Sequence, residues 1–360
     1  MLAPGPIGER LAAPIPKVMT TVDRLQSPCT VTIIIKALNE EKRIKAAAES
    51  ALAAVRGVGG EVVLADSCSS DATVTLARAF PIRIVQLAEA AERCCGVGPE
   101  LGYQHALGEF LYILDGDMEM LPDFLPSALA FMQAHPEVAG VGGRVVEMNT
   151  TSLEFVARVA RDRASSPAGE IDRLDMGGLY RRSAVEQVGY LSNRNLHSYE
   201  ELDLAVRLRV KGWKLWRIDI DAVRHYGHDA PPYRLLMQRW RSRYICGLGE
   251  MLRAAWGQPH LPLVLSDVRE LRLYLAVVLW WAGLVAMLFL PVSWDLRASA
   301  FALLASAPFL LMMWRKRSAS RAAYSVISWC FHTVGLLRGL FTPQRPARAK
   351  VGSVQIQNIG

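Results

Sequence analysis

From Val31 onward, short apolar runs alternate with longer stretches whose apolar residues recur at helical spacing. Val31-Thr-Ile-Ile-Ile35, Glu61-Val-Val-Leu-Ala65, Ile82–Gln86, Phe110-Leu-Tyr-Ile-Leu114 and Val138–Val146 read as strands. Between them the alanine-rich Glu40–Val55, a segment that Asp71 caps and that runs to Ala79, then Pro99–Leu107 and Pro122–Ala134 read as helices. A later block places a strand at Met176–Tyr180, helices near Ser183–Val188 and at Glu200–Val210, and a strand at Trp213–Ile218. Strands that lack polar alternation are covered on both faces, the habit of a parallel sheet wrapped by helices. The pattern predicts an α/β domain, Rossmann-like, with a doubly wound and mostly parallel sheet.

Beyond Leu265 the pattern changes. Leu271–Val292 is apolar over about twenty residues apart from Arg272 near one end, and Ala298–Trp314 is a shorter apolar run. Ser293–Arg297 separates them and Arg315-Lys-Arg317 follows, so they predict a membrane-associated helical hairpin. The positive-inside rule puts Arg315–Arg321 in the cytoplasm, and the preceding domain with it, on the inner face of the cytoplasmic membrane. Tyr324–Phe341 contains His332 and Arg338 and reads as an interfacial helix. The expected organisation is a flexible arm over 1–29, a domain over 30–265, hairpin and interfacial helix over 266–345, and a basic tail over 346–360. The arm carries Pro4, Pro6, Pro14 and Pro16 and no apolar core, unlike a secretory signal.

Composition sharpens this reading in two ways. The net charge of +7 comes from basic clusters that flank the apolar segments, so anionic lipid is the expected partner and nucleic acid is not. The six cysteines show no metal-binding spacing, and adjacent Cys94-Cys95 makes a poor structural disulfide, so a reduced compartment is expected.

Parallel strands share a direction, so their C-terminal ends form one rim, where open α/β sheets bind ligands. Strand one runs into Lys36-Ala-Leu-Asn-Glu-Glu41, strand two into Asp66-Ser-Cys-Ser-Ser-Asp71, and the Phe110 strand into Asp115-Gly116-Asp117. Two carboxylates one residue apart at a sheet edge call for a neutralising cation, and hard oxygen ligands suit Mg²⁺ or Mn²⁺ shared with substrate phosphates. A bare Asp-x-Asp is more often an acidic turn and Ser-Ser-Asp more often a helix cap; their company on one rim overrides both. Asp66 can accept a hydrogen bond from an imide N–H, and Ser69, Ser70 and Asp71 can cap the next helix. Gly96-Val-Gly98-Pro-Glu-Leu-Gly102 misses the dinucleotide-binding spacing by one residue.

The order of these loops, followed by Gly177-Gly178…Arg181-Arg182 and Glu200-Glu-Leu-Asp-Leu204, resembles the family-2 glycosyltransferases over about residues 30–250. The resemblance implies a GT-A fold and inverting transfer. It implies that Asp66 contacts the nucleobase, usually uracil, with Leu38, Asn39, Glu41, Asp71 and Arg239 also on the donor side and Gly177 and Gly178 on the acceptor side. Asp115 would meet the ribose or the metal, Asp117 would be the principal metal ligand, and His225 would reach the metal or the diphosphate. The family's Glu-Asp-x-Asp-Leu block supplies the base. Here Glu201 stands where the family has its Asp, with Glu200 and Asp203 as the alternatives; carboxylates at a helix start also simply complement its dipole. Lys36 and Leu38 replace the family's proline and stacking aromatic, and Pro99-Glu100 replaces an Arg-Asn pair, with Arg93 an unaligned substitute. Arg239-Trp240 matches part of the Gln-x-x-Arg-Trp motif of processive synthases, but Leu236 holds the glutamine position, so a non-processive enzyme is expected. Arg241 and Arg243 on the same basic stretch would contact diphosphate or lipid head groups.

The reading is a membrane-anchored inverting enzyme that takes sugar from a UDP-linked donor to a saccharide or lipid-linked acceptor in surface polysaccharide assembly. The alternatives are a polyprenyl-phosphate glycosyltransferase and a catalytically dead nucleotide-sugar-binding scaffold.

Overall fold

The computed structural model describes residues 30–149, 168–174, 177–227 and 230–359. The arm expected over 1–29 lies outside them. The strands are β1 (Val31–Ala37), β2 (Gly60–Asp66), β3 (Arg83–Leu87), β4 (Phe110–Asp115), β5 (Met118–Met120), β6 (Val138–Glu147), β7 (Gly169–Ile171), β8 (Gly178–Arg181), β9 (Lys214–His225) and β10 (Ser353–Gln357). The helices are α1 (Ile44–Val58), α2 (Thr73–Ala77), α3 (Val97–His105), α4 (Phe124–Ala134), α5 (Arg182–Val188), α6 (Glu200–Val210), α7 (Pro232–Arg241), α8 (Gly247–Ala255), α9 (Leu261–Asp267), α10 (Glu270–Met287), α11 (Trp294–Lys316) and α12 (Ala319–Leu340).

All these strands join one sheet in the order β10-β3-β2-β1-β4-β8-β6-β9-β5, with β7 beside β9. The α/β reading holds, but the sheet is mixed where a mostly parallel one was expected. β3, β2, β1 and β4 run parallel. β8 then enters antiparallel to both β4 and β6, and β5, β7 and β10 pair antiparallel as well. An apolar run covered on both faces looks the same in either direction, so periodicity does not report orientation. The strand expected to end at Ile218 continues to His225, which carries that histidine to the rim.

Alternate residues of β1 supply the two faces of the core. Ile33 and Ile35 pack with Ile44, Ala48 and Ala51 of α1, while Ile34 packs with Val97 and Leu101 of α3. Each fully buried isoleucine is worth about 1.5–3 kcal/mol relative to exposure. Gly102 allows α3 to lie that close, because a Cβ there would sit 2.2 Å from Ile34 Cγ2.

The C-terminal helices are built into the domain. A third cluster joins Leu202 and Val206 of α6 to Leu248 and Met251 of α8, Val264 of α9, Tyr274 of α10 and Leu336 of α12. The backbones of α8 and α12 touch, since a Cβ on Gly249 would lie 2.0 Å from Leu336 O and one on Gly339 2.1 Å from Cys246 O. Among the described residues, α10 and α11 are the helices long and apolar enough to cross a membrane. They expose Leu279, Leu303 and Trp314, and the connection between them exposes Phe289. Residues 353–357, expected in a basic tail, instead form β10 on the edge of the sheet against β3.

Candidate active site

The loops after β1 and β2 are stitched together by their own polar groups. Asn39 Oδ1 accepts from Ser70 N at 2.8 Å, Asn39 N donates to Ser69 Oγ at 2.8 Å, and Glu41 N donates to Asp71 Oδ2 at 3.1 Å. Asn39, Glu41 and Asp71 thus position the rim rather than line its cavity. Burial works to raise the pKa of Asp71, but hydrogen bonds from Thr73 and the Glu41 amide together prevail and lower it. Asp66 is fully buried; its Oδ2 accepts from Ser69 N at 3.0 Å and Gln86 Nε2 at 2.8 Å. Its Oδ1 has no hydrogen-bond partner, an acceptor left for an incoming N–H.

These loops open on a cavity of about 780 Å³, lined among others by Lys36, Leu38, Glu40, Asp115, Asp117 and Tyr244. Asp115 Oδ1 pairs with Lys36 Nζ at 3.2 Å, and the same ammonium lies 3.5 Å from Glu200 Oε1. Burial opposes the charge of Lys36, yet Asp115, Glu200 and Glu201 hold its pKa well above the ordinary lysine value. Glu40 shows the opposite pressure. Burial, then the nearby Asp117, Asp115 and Asp71, push it up to about 8. Negative charge is therefore in excess on this wall.

β9 brings His225 to Asp117, with Nε2 3.4 Å from Asp117 Oδ2 and Nδ1 2.7 Å from Glu147 Oε1. Burial resists protonation of His225, but the two carboxylates prevail and raise its pKa; burial likewise works against the charge of Asp117, which His225 overcomes so that its pKa is lowered. Among the described residues no three His, Cys, Asp or Glu side chains are grouped to hold an ion by themselves. Asp117 and His225 nevertheless fit a divalent ion that takes its other ligands from a diphosphate, and a carboxylate on the far ring nitrogen is how metal-binding histidines are oriented. Asp115 is engaged by Lys36 instead.

The block at the head of α6 is divided by the structure. Glu200 faces Lys36. Glu201 lines a second, smaller cavity. Asp203 is buried and bound to Arg207 Nε at 2.9 Å, which takes it out of both cavities. Gly177 and Gly178 lead into β8 beside Ile113 and line neither cavity. Arg181 and Arg182 donate to carbonyls of Met132, Ala106 and Gly108, a structural task. Arg239 lies over the Tyr244 ring at 5.2 Å, while Arg241 and Arg243 line the large cavity.

Asn39, Cys68, Tyr199 and Arg243 all adopt left-handed φ, between 59° and 68°. Such backbone costs a non-glycine residue about 1–3 kcal/mol and collects at functional sites. Here every one of the four sits on a loop around these cavities. Sequence reasoning missed Arg194, His197, Thr342 and Arg345, which also line the large cavity. His197 Nδ1 lies 2.9 Å from the fully buried Glu250, and Arg194 and Arg345 both bond Glu92. The only signal for Arg345 was the 338–350 basic cluster, read as lipid-facing. Arg93, the unaligned cation, does line the cavity and donates to Cys68 O.

Residues 32–189 match the sequence profile of glycosyl transferase family 2. Glucomannan 4-beta-mannosyltransferase 2 of Arabidopsis thaliana is 26% identical over 156 residues, covering 40% of this chain and 28% of the relative. Glucomannan 4-beta-mannosyltransferase 1 of Oryza sativa subsp. japonica is 26% identical over 156 residues, covering 40% and 29%. The chain thus spans under a third of the length of these curated relatives. Among solved structures, mannosyltransferase PcManGT from Pyrobaculum calidifontis in complex with GDP-Man and Mn²⁺ matches with a TM-score of 0.54 at 20% identity, over 87% of this chain and 91% of that one. That likeness is one of fold.

Proposed function

We propose, from the premise that this chain carries a family-2 glycosyltransferase domain on a GT-A-like fold, that it moves one sugar from a nucleoside-diphosphate donor to an acceptor hydroxyl with inversion. One observation carries the reading: Asp66, Asp115, the Asp117–His225 pair and Glu200 converge from four separate segments on one rim. Scattered structural carboxylates have no reason to gather there.

The unpartnered Oδ1 of Asp66 suits a base with a ring N–H, which uracil and guanine have and cytosine and adenine lack. UDP- and GDP-sugars are therefore the donors of choice. Leu38, exposed at the cavity, supplies apolar contact where an aromatic would stack. Asp117 and His225 would hold Mg²⁺ or Mn²⁺, which would supply positive charge for the diphosphate. Lys36, fixed between Asp115 and Glu200, and Arg93 and Arg243 supply positive charge on the same cavity. Glu201 takes the acceptor proton. The hydroxyl oxygen forms its bond to the anomeric carbon as the carbon–oxygen bond to the diphosphate breaks on the opposite face, the bonding pair leaving with the nucleoside diphosphate.

The apolar surfaces of α10 and α11 anchor the domain to a membrane, with Arg315, Lys316 and Arg317 on the side of the catalytic domain. That placement suits an acceptor used in surface polysaccharide assembly. The test is donor consumption by purified enzyme across UDP- and GDP-linked hexoses with Mg²⁺ or Mn²⁺. Failure to hydrolyse or transfer from any of them removes the reading.

A further inference from the structure

Tyr244 closes two cavities at once. It lines the large donor cavity and also a second one of about 210 Å³. The second cavity lies where the start of α6 meets the C-terminal helices and is lined by Ser198, Tyr199 and Glu201 together with Tyr274 of α10 and His332 of α12. Consecutive carboxylates therefore address different chambers, Glu200 beside Lys36 and Glu201 in the smaller one.

We infer that the smaller chamber receives the terminal sugar ring of a lipid-borne acceptor and sets its reacting hydroxyl against Glu201. This inference rests on the transfer reading above and names the acceptor side of that same site. Size is the first argument. Pockets for drug-sized ligands run from about 300 Å³ upward, so this one holds a single ring and no chain. The walls are the second. Tyr274 and His332 stack with centroids 6.2 Å apart and planes within 13°, and Tyr199 adds a further ring. Flat rings meet the C–H face of a sugar, while Glu201, Ser198 and Arg173 offer polar groups to its hydroxyls.

The origin of those walls is the third argument. Two of the rings come from helices of the membrane-associated part, and Tyr274 stands in the first turns of α10, where an apolar span begins. A head group carried on an isoprenoid or acyl chain is presented at that level; a free saccharide gains nothing from it. The two chambers share Tyr244, which follows the left-handed Arg243 and lines both.

The test uses the full chain in lipid nanodiscs, the best donor of the panel, and octyl and methyl β-glycosides of glucose and mannose as acceptor probes. Octyl glycosides should show a KM roughly tenfold below their methyl counterparts. Filling the chamber with His332→Trp, or independently with Tyr274→Trp, should raise the octyl-glycoside KM roughly tenfold while donor KM and acceptor-free donor hydrolysis hold. Equal KM for octyl and methyl probes overturns the lipid-borne acceptor. An unchanged acceptor KM in either folded variant, or joint loss of hydrolysis and transfer in both, overturns the chamber. A native protein that consumes no donor fails at the earlier step and takes this inference with it.

Discussion

Asp203→Ala separates the carboxylate proposed as base at the head of α6 from the one bound to Arg207. Asp203 is 2% exposed and Arg207 6%, with Oδ2 and Nε 2.9 Å apart. The same guanidinium donates to Tyr190 O at 2.8 Å and Leu191 O at 3.3 Å and lies 3.7 Å over the Tyr190 ring. Removing the carboxylate strands a buried cation, which typically costs about 3–5 kcal/mol. The two carbonyls retain part of its solvation, so the lower end, about 3 kcal/mol, is expected here. For a domain of this size each kcal/mol moves Tm by about 2–4 °C, so Asp203→Ala should melt roughly 6–12 °C below the native protein. Asp203→Asn keeps an acceptor oxygen and should fall in between. The assay pairs thermal scans in nanodiscs with turnover normalised to folded protein, for which kcat should stay within about threefold of native. An unshifted Tm with kcat down by about a hundredfold or more would refute this reasoning and make Asp203 the base.

Glu201→Gln should lower the chemical step by about 10²–10⁴-fold while nucleotide-sugar binding, measured by calorimetry, survives; transfer that persists there and vanishes in Glu200→Gln would move the base one residue back. Asp117→Asn should abolish turnover and metal-dependent binding with little change in Tm, and undiminished activity in excess chelator would remove the metal-dependent reading. The pH response of the metal-free protein follows from two raised pKa values. Glu40, at about 8 against an unfolded value near 4.5, contributes stability at low pH that is lost as pH rises toward 8. His225, raised above 6.5, contributes stability that is full below that value and lost as pH climbs through its folded pKa. Tm should therefore fall between about pH 6 and 8 without cation and flatten when Mn²⁺ is added; a metal-free Tm that rises over that window contradicts the site. Single cysteines at Ser293 and Ser318, in a background without the native six, should label from opposite sides of sealed vesicles, and labelling from one side only would remove the hairpin.

Some of this was open to inspection in the sequence and some was not. β1, β4 and α6 announce themselves because Ile33, Ile34 and Ile35 need cover on both faces and because Glu200 begins a helical period. Asp115 and Asp117 are legible for the same reason: a strand end fixes where its next residues emerge. Direction is not legible, which is why β8 reversed the expected sheet. β5 and β7, with three residues each, are too short to show any period. Division of labour within the Glu200–Asp203 block depends on Arg207, one turn away, and on Lys36, far back in the chain. Local spacing contains neither fact. His197 and Glu250 are likewise joined only by the fold, across fifty-three positions.

The return of the chain after α12 changes what kind of object the anchor is. Thr342, Pro343 and Arg345 line the large cavity, Arg194 holds the carbonyls of Ala349 and Lys350, and β10 completes the sheet edge beside β3. The apolar helices are therefore an insertion within the catalytic unit and not an appendage to it. Both ends of the inserted segment pack against the same domain, which on the proposed anchoring would leave it no swivel on a tether. On the proposed anchoring, the large cavity would stand at one fixed height and tilt over the bilayer, and reach to the acceptor would be settled by the architecture before either substrate arrives.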